Sequence, residues 1–147
     1  MIRTVDILLI EDNPGDVRLM QEAFKVSTLQ NTLHVVSDGV EAMMWLRRQG
    51  RYAEAVGPDL ILLDLNLPKK DGREVLKEIK EDERLKRIPT VVLTTSQAQR
   101  DILKAYTLHA NCYITKPVNL EEFFNVVKAI EEFWLGVVTL PHEGHDG

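Results

Sequence analysis

A chain of 147 residues can bury one hydrophobic core but is short for two. With 44% apolar and 28% charged residues it has the composition of a globular domain, and no apolar run approaches the ~20 residues of a membrane span. A net charge of −5 excludes a general nucleic-acid surface, which needs a basic face. The lone Cys112 has no intrachain partner and residues 1–6 lack the pattern of a signal peptide, so a reducing, cytoplasmic setting is expected.

Along the chain, strand and helix patterns alternate. Residues 6–10 end in the apolar run Ile7-Leu8-Leu9-Ile10, which reads as a strand buried on both faces. A helix follows over residues 14–26, with Pro14 at its first position, where a missing N–H costs nothing. A second strand at 33–36 and a helix at 40–49 come next. The segment 47–58, punctuated by Gly50, Gly57 and Pro58, is a loop or helix extension. Leu60–Asp64 is a second fully apolar strand closing on an acid, and Gly72–Glu81 a helix whose Val75, Leu76 and Ile79 share a face. Strands at 90–93 and 112–114 enclose a helix at 97–108, and a last helix covers 120–134. Asp71 with Glu74 and Asn119 with Glu122 have the spacing of capping boxes. Five βα units in series imply a parallel sheet with right-handed crossovers. One domain over residues 1–140 and a frayed tail at 141–147 are expected, and the basic clusters Lys69-Lys70 and 84–87 read as solvated surface.

Such a sheet gathers the carboxyl ends of its strands along one edge, where ligand sites lie. Four groups fall there. Glu11-Asp12 follows the first strand and precedes Asn13-Pro14. Paired carboxylates suit a magnesium ion, although Asp12 or Asn13 can equally cap the helix. Asp64 ends an apolar strand. A carboxylate there must be paired, metal-bound or solvated; it can be a nucleophile that takes a phosphoryl group, or a turn residue leading into Asn66-Leu67-Pro68. Thr94 ends Val91-Val92-Leu93, and Lys116 follows Tyr113-Ile114-Thr115 with an amine able to hold a phosphate oxygen. Acids that attract a cation, facing an amine that attracts an anion, suit a divalent metal together with a phosphoryl group.

The ensemble Glu11-Asp12, Asp64, Thr94 and Lys116-Pro117, in this order and spacing, closely resembles the receiver domain of two-component response regulators. The resemblance implies a flavodoxin-like fold of strand order 2-1-3-4-5 with helices on both faces. It implies that Asp64 accepts a phosphoryl group from a sensor histidine kinase. Asp12, Asp64 and the Asn66 carbonyl would hold Mg²⁺, with Glu11 acting through a metal-bound water. Lys116 and Thr94 would contact phosphoryl oxygens, Tyr113 falls at the switch aromatic, and Asn66 and Ser96 would flank the path of an attacking water. Signalling would pass by protein contact without an output domain, including transfer to a phosphotransfer histidine protein. The stretches from Asp64 to Leu76, Asn111 to Lys116 and Ile130 to Leu135 also look like single-domain regulators paired with cyanobacterial phytochromes.

Two other readings compete. A phosphohydrolase of the haloacid dehalogenase type would need a second acid where Asn66 stands, and a flavodoxin-like binding module would need a phosphate loop where Glu11-Asp12 stands. A final expectation concerns assembly. Phe123, Val126, Val127 and Ile130 suffice to cover the sheet, and Phe133, Trp134 and Leu135 cannot share a face because neighbours differ by ~100° around a helix. A homodimer through Phe133, Trp134, Leu135, Val137 and Val138 is therefore expected.

Overall fold

The computed structural model describes the backbone of residues 4–94, 112–116 and 119–146, and the side chains of these except 94, 112, 113 and 136–146. In chain order it contains β1 (Val5–Ile10), α1 (Pro14–Lys25), β2 (Asn31–Val36), α2 (Gly39–Arg47), β3 (Leu60–Asp64), α3 (Gly72–Glu81), β4 (Thr90–Thr94), β5 (Cys112–Thr115) and α4 (Leu120–Asp146). The five strands form one parallel sheet in the order β2-β1-β3-β4-β5, as the flavodoxin-like reading requires. The helix expected at 97–108 lies outside the described residues.

Strand alternation divides the core into two layers. Leu8 and Ile10 of β1 and Ile61 and Leu63 of β3 point to one face, where Ala42, Met43 and Leu46 of α2 and Val75, Leu76 and Ile79 of α3 cover them. Ile7, Leu9, Leu60 and Leu62 point to the other, under Met20, Ala23 and Phe24 of α1 and Phe123, Val126, Val127, Ile130 and Trp134 of α4. Both central strands are covered twice over, so their sequences show no polar alternation.

Helix starts carry side-chain caps at the expected Asn13, Asp71 and Asn119, and at Asp38 as well. Asn13 Oδ1 accepts from Asp16 N at 3.0 Å, so the cap of α1 is Asn13 and the acids before it are left for other work. Asp38 caps α2 through Glu41 N at 2.8 Å, Asp71 caps α3 through Arg73 N at 2.7 Å, and Asn119 Oδ1 accepts from Glu122 N at 2.9 Å.

Four features differ from the sequence reading. β2 starts at Asn31 because it is in register with Val5, and the Asn31 side chain donates to the Phe24 and Leu29 carbonyls. α2 stops at Arg47, where Arg48 turns left-handed at φ 54° and the chain enters a short helical turn, Gly50–Tyr52. Trp45 packs on both His34 and Tyr52, and its indole N–H donates to the Val56 carbonyl, so the 47–58 segment is pinned over the β2 edge. α4 continues past residue 134 to Asp146, making 141–146 helical instead of frayed, since extending an established helix needs no new nucleus. Lys69 and Lys70 are also engaged, with Asp38 at 3.5 Å and with Glu78 respectively.

Candidate functional site

The register of the central strands builds the site. Ile10 lies opposite Leu63, so the next residues on the two strands, Glu11 and Asp64, become neighbours at the carboxyl edge. Glu11 is fixed by its N–H, which donates to the Val36 carbonyl at 3.0 Å, and its Oε2 accepts from Asn13 N at 3.2 Å. Leu65 N donates to the Leu93 carbonyl at 3.2 Å, which holds the exit of β3 against β4. Asp64 Oδ1 accepts from Asn66 N at 3.1 Å, keeping the carboxylate in place and folding the Asn66 backbone back towards it.

The loop after Asp64 is clamped from both ends. A Cβ on Gly39 would collide with the Lys70 carbonyl, and one on Gly72 with the backbone of Asp64 and Leu65. Glycine at these positions permits a backbone approach that no other residue allows. Lys69, itself at φ 66°, adds its pairing with the buried Asp38.

Glu11, Asp12 and Asp64 each present a carboxylate oxygen, and these oxygens lie within 4.8 Å of one another. Hard oxygen donors at this spacing fit a divalent cation such as magnesium or manganese. Asp12 is solvent-exposed, whereas Glu11 and Asp64 are only 2% and 1% exposed, so the cluster opens outward on one side. Lys116 follows β5 directly and enters from the opposite flank. Its Nζ lies 2.8 Å from Asp16 Oδ2, 2.9 Å from Glu11 Oε1 and 3.2 Å from Asp64 Oδ2.

These contacts set the electrostatics. Burial, then hydrogen bonding to Asp64 and its charge, push the Glu11 carboxyl up to about 8, against the opposing pull of Lys116. Burial works against the Lys116 charge, but the Asp16, Glu11 and Asp64 carboxylates outweigh it and hold the amine above the ordinary lysine range. The pocket therefore resists one more negative charge, a resistance that a divalent cation reverses. A stability effect follows. Glu11 binds its proton more tightly folded than unfolded, so its contribution is complete below the ordinary 4.5 and is lost as the pH rises to about 8. In metal-free urea titrations, wild type should lose stability across this window, and Glu11→Gln should lose clearly less. Parallel profiles for the two proteins would refute this.

Of the residues singled out from sequence, Glu11, Asp12, Asp64 and Lys116 meet at one point, with Asn66 bonded to Asp64 beside them. Thr94 ends β4 in register with Thr115, and Tyr113 lies in β5 opposite Val92, both on strands that reach the site; their side chains lie outside the described ones, as does Ser96. Sequence reasoning missed Asp16, because an acid in the first turn of a helix is already accounted for by the helix dipole. Its position on the turn directly after Glu11-Asp12 was the available signal. At the far end, Trp134 is buried in the core layer under α4, Phe133 packs against that layer, and Leu135 is 53% exposed. Val137 and Val138 belong to the same helix, and their side chains are not among those described.

The fold and site define a phosphate-signalling receiver, and comparison with known proteins agrees. Residues 7–128 match the response regulator receiver domain. The chain is 56% identical to response regulator Rcp1 of Synechocystis sp., over 92% of each. Among solved structures it is similar to the phosphorylated cyanobacterial phytochrome response regulator RcpA, with a TM-score of 0.84 and 60% identity over 95% of this chain and 99% of that one. The Mn²⁺-bound form of Rcp1 aligns with a TM-score of 0.82 and 55% identity over 93% and 99% of the two chains. The chain belongs to the response regulator receiver family.

Proposed function

We propose that this protein is the phosphoryl acceptor of a phytochrome-type sensor histidine kinase, with Asp64 as the accepting residue. The carrying observation is the convergence of Glu11, Asp12 and Asp64 with Lys116 3.2 Å from Asp64. An Asp64 carboxylate oxygen attacks the phosphorus of a phosphohistidine, the P–N bond breaks, and the imidazole leaves with its electron pair as the acyl phosphate forms. In-line transfer of this kind depends on positioning and charge neutralisation. Mg²⁺, held by Asp12, Asp64 and the Asn66 carbonyl with Glu11 acting through water, would neutralise charge on the phosphoryl oxygens. Lys116 supplies the opposing positive charge and Thr94 a hydroxyl donor. The new acyl phosphate draws the Thr94 end of β4 inward, and Tyr113 follows as the switch. Similarity to RcpA and Rcp1, whose structures are phosphorylated and Mn²⁺-bound, supports this reading.

The protein turns over no substrate pool. It catalyses its own phosphotransfer and slow autodephosphorylation, works in the cytoplasm, and signals by contact, including onward transfer to a phosphotransfer histidine protein. The direct test is incubation with a phosphorylated phytochrome kinase and a panel of unrelated kinases. Labelling by the phytochrome kinase should be fastest and should stop when a chelator removes Mg²⁺. Equal labelling by unrelated kinases would sink the pairing, and metal-independent labelling would sink the Mg²⁺ assignment.

The protein also forms a homodimer through α4. Trp134 faces the core, so the contact centres on Leu135, with Phe133 at its margin and Val137 and Val138 continuing the helix. Exposed apolar patches mark partner surfaces, and Leu120, Phe124 and Leu135 are all exposed along α4. In sedimentation, Leu135→Glu should shift wild-type dimer to monomer. A monomeric wild type at high concentration, with and without phosphorylation, would refute the dimer.

A further inference from the structure

Lys116 has three N–H donors, and three carboxylates surround it. In this arrangement no donor is left over for an incoming phosphoryl oxygen, so one carboxylate must let go. Asp64 gives up only the one donor it holds when it becomes the acyl phosphate, and the phosphoryl group it then carries brings three acceptor oxygens in its place, so a further donor is needed. Glu11 is 2% exposed and is bonded to Asn13 N, so releasing it would leave a buried polar group short of a partner. Asp16 differs from both. Its side chain is 24% exposed, it lies outside the metal-capable trio of Glu11, Asp12 and Asp64, and it is the nearest of the three to Nζ at 2.8 Å. Water can take over its hydrogen bond at little cost.

From this geometry we infer that Asp16 is a positioning residue that holds Lys116 in the resting state and competes with the phosphoryl oxygen for it. Phosphorylation of Asp64 then breaks the Asp16–Lys116 pair and frees the first turn of α1 from the β5 edge. The backbone N–H of Asp16 remains on the Asn13 cap throughout, so the helix start is preserved. This inference rests on the proposed role of Asp64.

The test uses acetyl phosphate with Mg²⁺, where an Asp64 oxygen attacks phosphorus, the P–O bond to the acetyl group breaks, and acetate leaves with the electron pair. Asp16→Asn keeps size and polarity and removes the competing charge. It should be phosphorylated about three- to tenfold faster than wild type at low salt, the scale of one partly screened charge, with the gain shrinking as salt rises. Asp16→Glu should return the rate towards wild type. In a Lys116→Met background the Asp16→Asn gain should largely vanish, because the competition acts through the amine. An unchanged or slower Asp16→Asn would overturn the inference, as would an equal gain in the Lys116→Met background, which would assign the effect to the general field. Failure to label wild type, or labelling of Asp64→Asn, would instead overturn the proposed function on which the inference depends.

Discussion

Asp64→Asn should take up no acid-labile phosphate from any donor, while folding as well as wild type. The amide has nearly the shape of the carboxylate but lacks a nucleophilic oxygen of sufficient charge, so the reaction loses its acceptor outright. The fold should tolerate the change because Lys116 keeps Asp16 at 2.8 Å and Glu11 at 2.9 Å. Asn66 N can still donate to the amide oxygen of the substituted side chain, in place of the carboxylate oxygen it bonds at 3.1 Å. Removing one of several crowded acids relieves repulsion, and Glu11, whose carboxyl is raised partly by Asp64, should titrate lower in the variant. Mg²⁺ affinity should fall, since one of three converging carboxylates is lost. Phosphate labelling, circular dichroism and metal titration together separate these effects. Stoichiometric labelling of the variant would remove Asp64 from its role, and an unfolded variant would show that the carboxylate has a structural task that these contacts do not reveal.

The parts of the fold visible in the sequence are those whose cause is local. The runs at Ile7 and Leu60 are apolar because helices cover both faces of β1 and β3, and the bounds of Leu60–Asp64 are legible for that reason. Asn13, Asp71 and Asn119 cap as their side chains allow. The start of β2 is hidden because Asn31 and Thr32 lie on an edge strand whose limits are set by pairing with β1, not by an apolar pattern. The site divides in the same way. Glu11, Asp12, Asp64 and Lys116 stand at strand ends, so a parallel sheet alone brings them together. Asp16 and the Asp38–Lys69 clasp join through space from a helix turn and a loop, so the strand-end rule does not reach them, and only closeness to Glu11-Asp12 in the chain hints at Asp16. The expectation that Lys69-Lys70 is solvated surface holds for Lys69, 69% exposed beyond its 3.5 Å pairing with Asp38, and fails for Lys70, 27% exposed and paired with Glu78 on α3.

Trp134→Ala should be among the most destabilising single substitutions in the protein. Trp134 is 9% exposed and closes the core layer formed by Ile7, Leu9, Met20, Phe24 and the inward residues of α4. Truncating a buried aromatic removes its transfer free energy and leaves a cavity, together about 3–5 kcal/mol. That is a large share of the ~5–15 kcal/mol by which a domain of this size is stable. The loss should be local in origin. Glu131, one turn before, bonds Ser27 and the Thr28 N–H and hydroxyl, and so keeps the middle of α4 fixed to the end of α1. The helix beyond that clasp then has only the Trp134 contact, with the margin supplied by Phe133, among the described side chains to hold it on the sheet. Urea denaturation should therefore show a fall of about 3 kcal/mol or more. Hydrogen exchange should show the end of α4 opening before the strands. Leu135→Glu, at a position 53% exposed, should change monomer stability by less than ~0.5 kcal/mol. The pair separates the two faces of α4, one facing the core and the other exposed at Leu135. If Trp134→Ala were as stable as wild type while Leu135→Glu unfolded the monomer, the helix would have to be rotated from the orientation described.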